Sequence, residues 1–262
     1  MSARVAVPVF PGTNSEDETV RALHAVGLDA ALVHWSRPEE LERFDAFVLP
    51  GGFAYEDRVR AGAVAAHDAL MRPVIAAAQA GRFVLGICNG AQILAEAGLV
   101  PGDGPVGRPT AAFAPNAGGR FRSVHVHVRL TVPPARLPIL GGLTAGALFP
   151  AWAAHGDGRL AAPPEELDRI RQGGHLAFVY ADREGRPVAA PNGSALDAAA
   201  LCNATGTVLA IMPHPERDAW TFQHLGAERA AVHGDTAAIL APSGGIAFFA
   251  AFARALGAGV AA

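Results

Sequence analysis

Cys88 has the surroundings that a catalytic cysteine requires. It lies between Gly86 and Gly90, after the apolar run 83–87 and before the helix-forming run 91–97. A nucleophile elbow has this order of strand, sharp turn and helix, and its small flanking residues let the strand approach the helix. The thiol then points away from both elements, beside the first turn of a helix, which favours a thiolate. A lone cysteine at a strand end is otherwise more often a small buried apolar residue, so partner residues must be identified.

The partners of a cysteine nucleophile are a base and an acid that orients the base. Residues 212–217, Met-Pro-His-Pro-Glu-Arg, contain both. The prolines are expected to keep this segment extended, so that His214 and Glu216, two residues apart, point the same way. His-Pro-Glu alone would favour a surface turn. Because the segment follows an apolar strand expected to lie beside the elbow strand, we predict His214 as the base for Cys88 and Glu216 as its orienting acid.

The elements that must position these groups alternate between strands and helices. Apolar runs predict strands at 4–10, 30–35, 46–49 and 83–87, and helix-forming stretches lie between them at 15–27, 38–43 and 62–80. We expect Pro73 to break or kink the last of these helices. Continuous apolar strands that alternate with helices predict an α/β fold with a doubly wound, mostly parallel sheet and flanking helices.

The second half of the chain has a different pattern. Residues 121–130 alternate strictly between apolar and polar side chains, which predicts a half-exposed strand. A strand that runs into a polar turn is predicted over 150–160, further strands at 175–181, 196–201 and 207–212, and helices at 165–172 and 246–256. The turn at 203–206 is typical of a hairpin between the last two strands. We therefore expect an added antiparallel strand region.

Two short patterns resemble cofactor sites, and both have a simpler interpretation. His125 and His127 share one side of the strand at 121–130, but no acidic or cysteine ligand stands beside them, which favours an exposed sheet face over a metal site. Residues 102–107 match the letters Gly-x-Gly-x-x-Gly. They follow a helix rather than a strand and contain Pro105, so we predict a loop there. No metal is predicted for this chain.

The composition excludes several kinds of chemistry. All 21 basic residues are arginines, which excludes a lysine Schiff base, a Walker phosphate loop and a Ser-x-x-Lys pair. The net charge is −3 and no basic block is present, so no nucleic-acid partner is predicted. Two cysteines in 262 residues do not form a disulfide framework. No segment suggests a membrane span, and we expect a cytoplasmic protein.

Length alone allows one large α/β domain or two small ones. We predict a single domain over 1–262, with residues 218–262 as a C-terminal extension packed on it. The paired glycines Gly51 and Gly52 close the third strand, where they can leave backbone N–H groups facing a ligand. An isolated Gly-Gly pair is more often an ordinary tight turn.

Four segments together resemble the class I glutamine amidotransferases, a family with a cysteine, histidine and glutamate triad. They are 50–57 with 60–63, the elbow at 85–92, 191–194 and 212–217. The resemblance extends from residue 4 to about 217. Within the family it is closest to the branch formed by the glutaminase subunits of phosphoribosylformylglycinamidine synthase, which serves purine biosynthesis.

Some positions depart from the pattern of that family. Glu56 stands where the family usually has glycine, Asp157 where it usually has glutamate, and Ser123 where a cysteine is common. Residues 218–245 are longer than expected. None of these departures touches the predicted triad, but they affect the expected partner surface.

The resemblance implies hydrolysis of L-glutamine through a thioester. Cys88 would attack the side-chain carbonyl, His214 would accept the thiol proton and return one to the leaving ammonia, and Glu216 would hold the imidazole. No metal is required by this chemistry.

The resemblance also implies the groups that surround the reacting atoms. Backbone N–H groups of Asn89 and of Gly52 or Phe53 are expected to form the oxyanion hole. Gln92, one helical turn after the cysteine, is expected to help hold the glutamine. The polar loop 53–60 is expected to close over the substrate.

The implied partner is a separate synthetase chain that receives the ammonia. That chain would use ATP and magnesium to convert formylglycinamide ribonucleotide into the amidine, so no cofactor is expected on the present chain. A small third subunit would bridge the two. The absence of lysine and of a nucleotide-binding motif agrees with ATP being bound elsewhere.

Two alternatives remain open from the sequence. The chain could be the glutaminase of another amidotransferase, such as one for anthranilate, GMP or carbamoyl phosphate, with the same triad and a different acceptor. It could instead be a non-enzymatic stress or binding protein with a redox-sensing cysteine. The second alternative has no need for His214 and Glu216 beside the thiol.

Overall fold

The parallel part of the sheet is built from the short apolar runs of the first part of the chain. The computed structural model describes residues 2–102, 104–224 and 236–258. Its first four strands are β1 (Arg4–Val9), β2 (Asp29–His34), β3 (Ala46–Leu49) and β4 (Val84–Ile87). β1 pairs in parallel with β2 and β3, and β3 pairs in parallel with β4. Every residue of β3 and β4 is buried, as expected for strands covered on both faces.

The helices between these strands are α1 (Glu16–Ala25), α2 (Ala63–Ala66), α3 (Met71–Gln79) and α4 (Asn89–Glu96). The stretch Pro38–Arg43 forms a 3₁₀ turn. The predicted break at Pro73 was wrong, because the chain leaves the helix at 67–70 and Pro73 is the third residue of α3. Proline is tolerated in the first turn of a helix, where its missing N–H would have no partner within the helix.

The second part of the chain contributes the antiparallel strands. They are β5 (Ala112–Pro115), β6 (Arg122–Leu130), β7 (Leu148–His155), β8 (Asp157–Ala161), β9 (Leu176–Ala181), β10 (Ala198–Cys202) and β11 (Val208–Ile211). The main sheet has the order β2-β1-β3-β4-β11-β10-β9-β6-β7, and β5 pairs with β8 in a separate sheet. The strand predicted at the start of 150–160 is β7. The polar turn predicted to follow it was wrong in part, because only Gly156 separates β7 from a second strand, β8, which belongs to the other sheet.

β11 joins the two parts of the main sheet. It pairs in parallel with β4, with Ile211 opposite Ile87, and antiparallel with β10. This confirms both the hairpin predicted around 203–206 and the adjacency predicted between the last strand and the elbow strand. The end of β11 therefore lies at the same sheet edge as the end of β4.

The remaining helices are α5 (Pro164–Gln172), α6 (Thr236–Ile239) and α7 (Gly244–Ala255). The three phenylalanines of α7 are buried, and Phe248 contacts Phe149 of β7 edge to face, with ring centroids 5.5 Å apart. Residues from both ends of the chain, such as Val5 and Phe252, belong to one buried core. Of the predicted extension 218–262, residues 225–235 and 259–262 lie outside the described residues.

The architecture is the predicted α/β fold, a large mostly parallel sheet with flanking helices and an antiparallel region. The described residues of 102–107 form neither helix nor strand, which agrees with the predicted loop. None of the described helices has the length and hydropathy needed to cross a membrane.

Candidate active site

Cys88 occupies a sharp turn between β4 and α4. Its backbone has φ 51° and ψ −108°, a conformation that residues with a β-carbon rarely adopt. The Cys88 N–H donates to the Ile211 carbonyl at 2.8 Å, which helps to fix this backbone conformation. A β-carbon on Gly90 would lie 2.1 Å from the Leu49 carbonyl oxygen, and one on Gly86 would lie 2.5 Å from that of Gly90. The two glycines therefore let α4 lie directly against β3 and β4.

His214 is positioned by β11 and by the edge strand β7. The N–H of His214 donates to the Trp152 carbonyl at 2.8 Å, and the N–H of Trp152 donates to the His214 carbonyl at 3.1 Å. The imidazole lies against Gly51, where a β-carbon would come within 2.5 Å of the ring carbon Cε1. The first glycine of the Gly-Gly pair thus leaves room for this ring.

Glu216 orients the His214 ring. The ring Nδ1–H donates to the Glu216 carboxylate, and both side chains are buried. The other ring nitrogen, Nε2, has no hydrogen-bond partner of ordinary geometry among the described residues. Burial lowers the pKa of His214, but the negative charges of Glu216 and Cys88 and the bond to Glu216 outweigh it and raise the pKa to about 10. The site therefore stabilises a protonated imidazole beside the Glu216 carboxylate.

The route by which His214 and Glu216 meet differs from the expected one. His214 is extended, with φ −95° and ψ 98°, but Pro215–Asp218 forms a 3₁₀ turn. The predicted extension through Glu216 was wrong, because proline at the first position of a helical turn is as compatible as proline in an extended segment. Arg217 ties this turn to α1 through an ion pair with Glu18 at 3.0 Å.

A concave surface opens over the cysteine. It is lined by Asn14, Gly52, Phe53, Asp57, Cys88, Gln92, Phe121, Ala154, His155, Gly156, Asp157, His214 and Arg217. The sulfur of Cys88 lies 3.9 Å from the carbonyl oxygen of Ala154. The turn between β7 and β8 is therefore one wall of the site.

Two carboxylates give part of this cavity a negative charge. Burial raises the pKa of Asp57 to about 6, and the charge of Asp157 adds to the rise. A hydrogen bond from Asn89 Nδ2 to Asp57, at 3.1 Å, opposes it. Sequence reasoning noted both aspartates but gave neither a role. Paired carboxylates in a cleft favour a cationic group of a ligand.

The polar loop 53–60 is folded onto the elbow helix. Tyr55 donates from its hydroxyl to Asp68 at 2.5 Å. Arg60 makes a two-point contact with the buried carboxylate of Glu96, at 2.6 and 2.5 Å. Closure of this loop over a substrate stays a prediction, and these contacts fix its two ends.

The predicted oxyanion-hole residues differ in the state of their N–H groups. The N–H of Phe53 donates to the Gly12 carbonyl at 2.9 Å and is engaged within the protein. Asn89 begins α4, so its N–H belongs to the helix end that has no partner within the helix. The oxyanion hole stays a prediction, with Asn89 and Gly52 as the donors that fit it best.

Gln92 lines the cavity, but protein groups engage its amide. Its Nε2 donates to the Asp157 carbonyl, and its Oε1 accepts from Asn89 Nδ2 at 2.9 Å. Gln92 thereby ties α4 to the start of β8 and shapes the wall of the site. Its predicted contact with glutamine stays a prediction.

Sequence reasoning did not identify the wall formed by the turn between β7 and β8. His155 is buried there, and its Nδ1 lies 3.2 Å from Oδ1 of Asn116. The buried Asn192 donates to the Gly158 carbonyl at 2.7 Å, so the Pro-Asn-Gly-Ser segment at 191–194 supports the same wall. The sequence feature that could have indicated this wall is His155 at the end of a predicted strand, directly before Gly-Asp-Gly.

The described residues include no group of three or more His, Cys, Asp or Glu side chains that could hold a metal ion. His125 does not simply face solvent, because its Nε2 lies 2.5 Å from the buried carboxylate of Asp218. His224 and Ser243 bond to the same carboxylate, at 2.8 and 3.0 Å. The predicted exposed face of β6 is thus partly covered by the C-terminal part of the chain.

Comparison with known protein families agrees with the chemistry that the residues around Cys88 suggest. A family model described as the CobB/CobQ-like glutamine amidotransferase domain matches residues 2–241. The chain belongs to the class I glutamine amidotransferase family. This confirms the resemblance that the four segments indicated.

Relatives in this family are similar over most of their length. Phosphoribosylformylglycinamidine synthase subunit PurQ of Symbiobacterium thermophilum is 43% identical over 217 residues, which cover 82% of this chain and 87% of the relative. The protein of the same name from Pyrococcus furiosus is 39% identical, with 86% and 92% covered. The chain is therefore similar to PurQ subunits from different organisms.

Solved amidotransferase structures share the fold. The structure of PurLQS from Thermotoga maritima contains a chain with a TM-score of 0.70 and 29% identity, covering 85% of this chain and 92% of that chain. The glutaminase domain of Trypanosoma brucei CTPS with bound acivicin has a TM-score of 0.55 at 14% identity, covering 98% and 94%. The latter likeness concerns the fold alone.

Proposed function

We propose that this chain is the glutaminase subunit of a phosphoribosylformylglycinamidine synthase. The observation that carries the proposal is the meeting of three remote side chains. A cysteine on a strained turn faces the same small cavity as a buried histidine that is hydrogen-bonded to a buried glutamate. The similarity to PurQ subunits over most of the chain supports the acceptor reaction named here.

In the first half of the reaction, the sulfur of Cys88 attacks the side-chain carbonyl carbon of L-glutamine. The carbon–sulfur bond forms as the carbon–nitrogen bond breaks, and the His214 imidazolium gives a proton to the nitrogen that leaves as ammonia. The raised pKa of His214 suits this role, because the ring takes up the thiol proton readily. Glu216 keeps the ring oriented and stabilises its positive charge.

In the second half, water attacks the thioester. Neutral His214 accepts a proton from the water, the carbon–sulfur bond breaks, and glutamate leaves while Cys88 recovers its proton. In both halves the carbonyl oxygen becomes negative. The backbone N–H groups of Asn89 and Gly52 are the proposed donors to it, and loss of one such donor typically slows a reaction about 100- to 1000-fold.

The two carboxylates of the cavity are proposed to hold the amino-acid end of the substrate. Asp57 and Asp157 both line the cavity that contains Cys88. An ammonium group between them would relieve the repulsion that raises the pKa of Asp57. This assignment leaves the carboxamide end of glutamine directed to the cysteine.

The ammonia is proposed to pass to a separate synthetase subunit that uses ATP and magnesium to make the amidine of formylglycinamide ribonucleotide. The chain itself carries no lysine and no phosphate-binding loop, which agrees with ATP being bound by the partner. A small bridging subunit completes the proposed complex. These partner assignments rest on the family relationship.

The decisive test combines this chain with a candidate synthetase from the same organism. We expect amidine formation with glutamine as nitrogen donor, and we expect Cys88→Ala to abolish it while activity with free ammonia remains. Wild-type complex that uses free ammonia but not glutamine would reject the proposal. Glutamine-dependent transfer to another acceptor, such as a GMP precursor, would point to a different amidotransferase.

A further inference from the structure

Asn116 fixes the tautomer of His155. The Nδ2 group of Asn116 donates to the carbonyls of His155 and Arg120, at 2.8 and 3.0 Å. Its Oδ1 therefore faces the His155 ring, where it also accepts from the Gly158 N–H at 3.1 Å. An amide oxygen can only accept, so the proton of the ring must be on Nδ1 of His155. The other ring nitrogen, Nε2, is then an unprotonated acceptor.

The His155 ring is held in its neutral form. Burial lowers the pKa of His155 to about 4, and the positive charge of His214 contributes to the decrease. At neutral pH the Nε2 lone pair is therefore available. A charged form, with a donor at both ring nitrogens, would require much more acidic conditions.

The Nε2 atom of His155 is buried without a partner. The residue is 3% exposed, and Nε2 makes no hydrogen bond to any of the described residues. A buried polar atom without a partner is unfavourable unless a ligand or water satisfies it. Because His155 lines the cavity over Cys88, a bound ligand can supply the missing donor.

The position of His155 identifies the part of the substrate that can reach it. The preceding residue, Ala154, has its carbonyl oxygen 3.9 Å from the sulfur of Cys88. A substrate group bound at the sulfur therefore lies beside the wall that contains His155. A neutral acceptor suits a neutral N–H donor, whereas the carboxylates of Asp57 and Asp157 suit an ammonium group.

We propose that Nε2 of His155 accepts a hydrogen bond from the carboxamide N–H of bound glutamine and so selects the amide over the carboxylate of glutamate. This inference rests on the glutaminase function proposed above. Glutamate presents an oxygen where glutamine presents an N–H, and that oxygen would face the lone pair of His155. A site built around a hydrogen bond discriminates strongly against an analogue that lacks the matching group.

The test compares glutamine with the γ-methyl ester of glutamate, which keeps the acyl group and the ammonium but has no side-chain N–H. In the assembled complex, His155→Phe is expected to lower kcat/KM for glutamine about 10- to 100-fold, the usual effect of losing one partner of a buried hydrogen bond. Hydrolysis of the ester should change less than about threefold, because no such bond exists to lose. His155→Gln, whose side-chain oxygen is also an acceptor, should restore part of the glutamine activity.

A matched control is available in His175, a second buried histidine whose Nδ1 lies 3.1 Å from the Cys202 carbonyl. His175 does not line the cavity over Cys88, so His175→Phe should leave the ratio of amide to ester hydrolysis unchanged. An equal loss on both substrates in His155→Phe would overturn the inference, as it would mean that His155 holds the ammonium or only supports the fold. Wild-type complex that hydrolyses neither substrate would instead reject the glutaminase proposal itself.

Asn116→Asp provides a test that does not remove the ring. The new carboxylate beside Nδ1 would favour the charged imidazole and convert Nε2 into a donor. Beyond the pH dependence near 6 that Asp57 gives to both proteins, we expect this variant to gain a second rise in glutamine hydrolysis as the His155 ring loses its proton. Ester hydrolysis should lack that rise, and glutamate should inhibit the variant more strongly at low pH. Identical pH profiles for wild type and variant on both substrates would contradict the proposal.

Discussion

Glu56 occupies a backbone conformation that suits glycine. Its φ is +59°, in a short run of residues with positive φ that includes Tyr55 and Asp57. A side chain with a β-carbon is disfavoured in this region by about 1–2 kcal/mol. The resemblance implies glycine at this position, and a positive φ is the backbone conformation that glycine adopts without steric cost.

We expect Glu56→Gly to raise the free energy of unfolding by about 1 kcal/mol, since glycine adopts positive φ without steric cost. The ion pair lost with Arg58 joins two exposed side chains, 76% and 72% accessible, and such pairs contribute little. Urea denaturation at neutral pH measures the effect. Glu39→Gly is a suitable control, because Glu39 lies in a turn of ordinary backbone conformation. Equal destabilisation by both substitutions would contradict the strain argument.

Asp57 should give the enzyme a pH dependence near 6. Its pKa is raised to about 6 by burial and by the charge of Asp157. As the pH falls through this value the carboxyl becomes neutral and no longer attracts the substrate's ammonium group. We expect kcat/KM for glutamine to decrease there, and Asp57→Asn to lack that inflection in a profile measured from pH 5 to 8.

The raised pKa of Asp57 also determines how this residue changes the stability of the fold with pH. The folded pKa of Asp57 lies above the value of about 3.9 for an unfolded aspartate. The folded protein therefore holds this proton more tightly than the unfolded chain. The resulting stabilisation is complete below pH 4 and is lost as the pH rises through about 6. Asp57→Asn should consequently be more stable relative to wild type at pH 7 than at pH 4.

At the scale of the elements, the sequence predicted what depends on local patterns. The apolar runs of β1, β3 and β4 were found within a residue or two of their limits, and the elbow was found from Gly86, Cys88 and Gly90. These features are determined by side-chain periodicity and by residues that only a tight turn requires.

The features that were missed depend on contacts between distant segments. The wall that contains His155 is formed only when β8 leaves the main sheet and pairs with β5, and nothing local in 150–160 encodes that change of partner. The predicted contact between His214 and Glu216 is present, but the extended backbone from which it was predicted is not, because the segment forms a turn. Its position is fixed by backbone bonds to Trp152 of β7, a strand far away in the sequence.

Gly90 tests the packing of α4 on β3. A β-carbon there would lie 2.1 Å from the backbone oxygen of Leu49, so either the helix or the strand must move. We expect Gly90→Ala to lower the free energy of unfolding by about 3 kcal/mol, at the upper end of the usual cost of overpacking. It should also reduce glutamine hydrolysis, because Cys88 lies two residues before it.

Gly104→Ala is the comparison for that substitution. The nearest atom to an added β-carbon is a side-chain methyl of Thr110 at 3.3 Å, which can shift. Its effect on the free energy of unfolding, measured by urea denaturation, should be within about 0.5 kcal/mol, as for most changes away from packed contacts. If the Gly90→Ala protein were as stable as the Gly104→Ala protein, α4 would not be packed tightly against β3 at this position.

At the scale of the whole molecule, the histidine–glutamate pair is held by three parts of the chain. β7 bonds to the backbone of His214, and α1 carries the partner of Arg217. The start of α7 contacts the turn as well, because the Ser243 hydroxyl donates to the Asp218 carboxylate at 3.0 Å. The C-terminal helix therefore helps to support the proposed catalytic pair, whereas the sequence predicted this region only as an extension packed on the domain.

Gly245 tests this support directly. A β-carbon on Gly245 would lie 2.2 Å from the carbonyl oxygen of Pro215 and 2.5 Å from that of Asp218. Gly245→Ala must therefore displace the turn that carries Glu216 or move α7 away from it. We expect kcat for glutamine to fall at least about tenfold, because small displacements of catalytic groups slow a reaction this much.

Ala247→Gly is the control, because Ala247 is exposed on the same helix. Its replacement should cost about 1 kcal/mol of stability without displacing the turn. If Gly245→Ala and Ala247→Gly reduced stability equally and both kept the wild-type kcat, α7 would not position the pair. A loss of kcat confined to Gly245→Ala, in a protein that is still folded, would locate the damage at the turn that carries the histidine–glutamate pair.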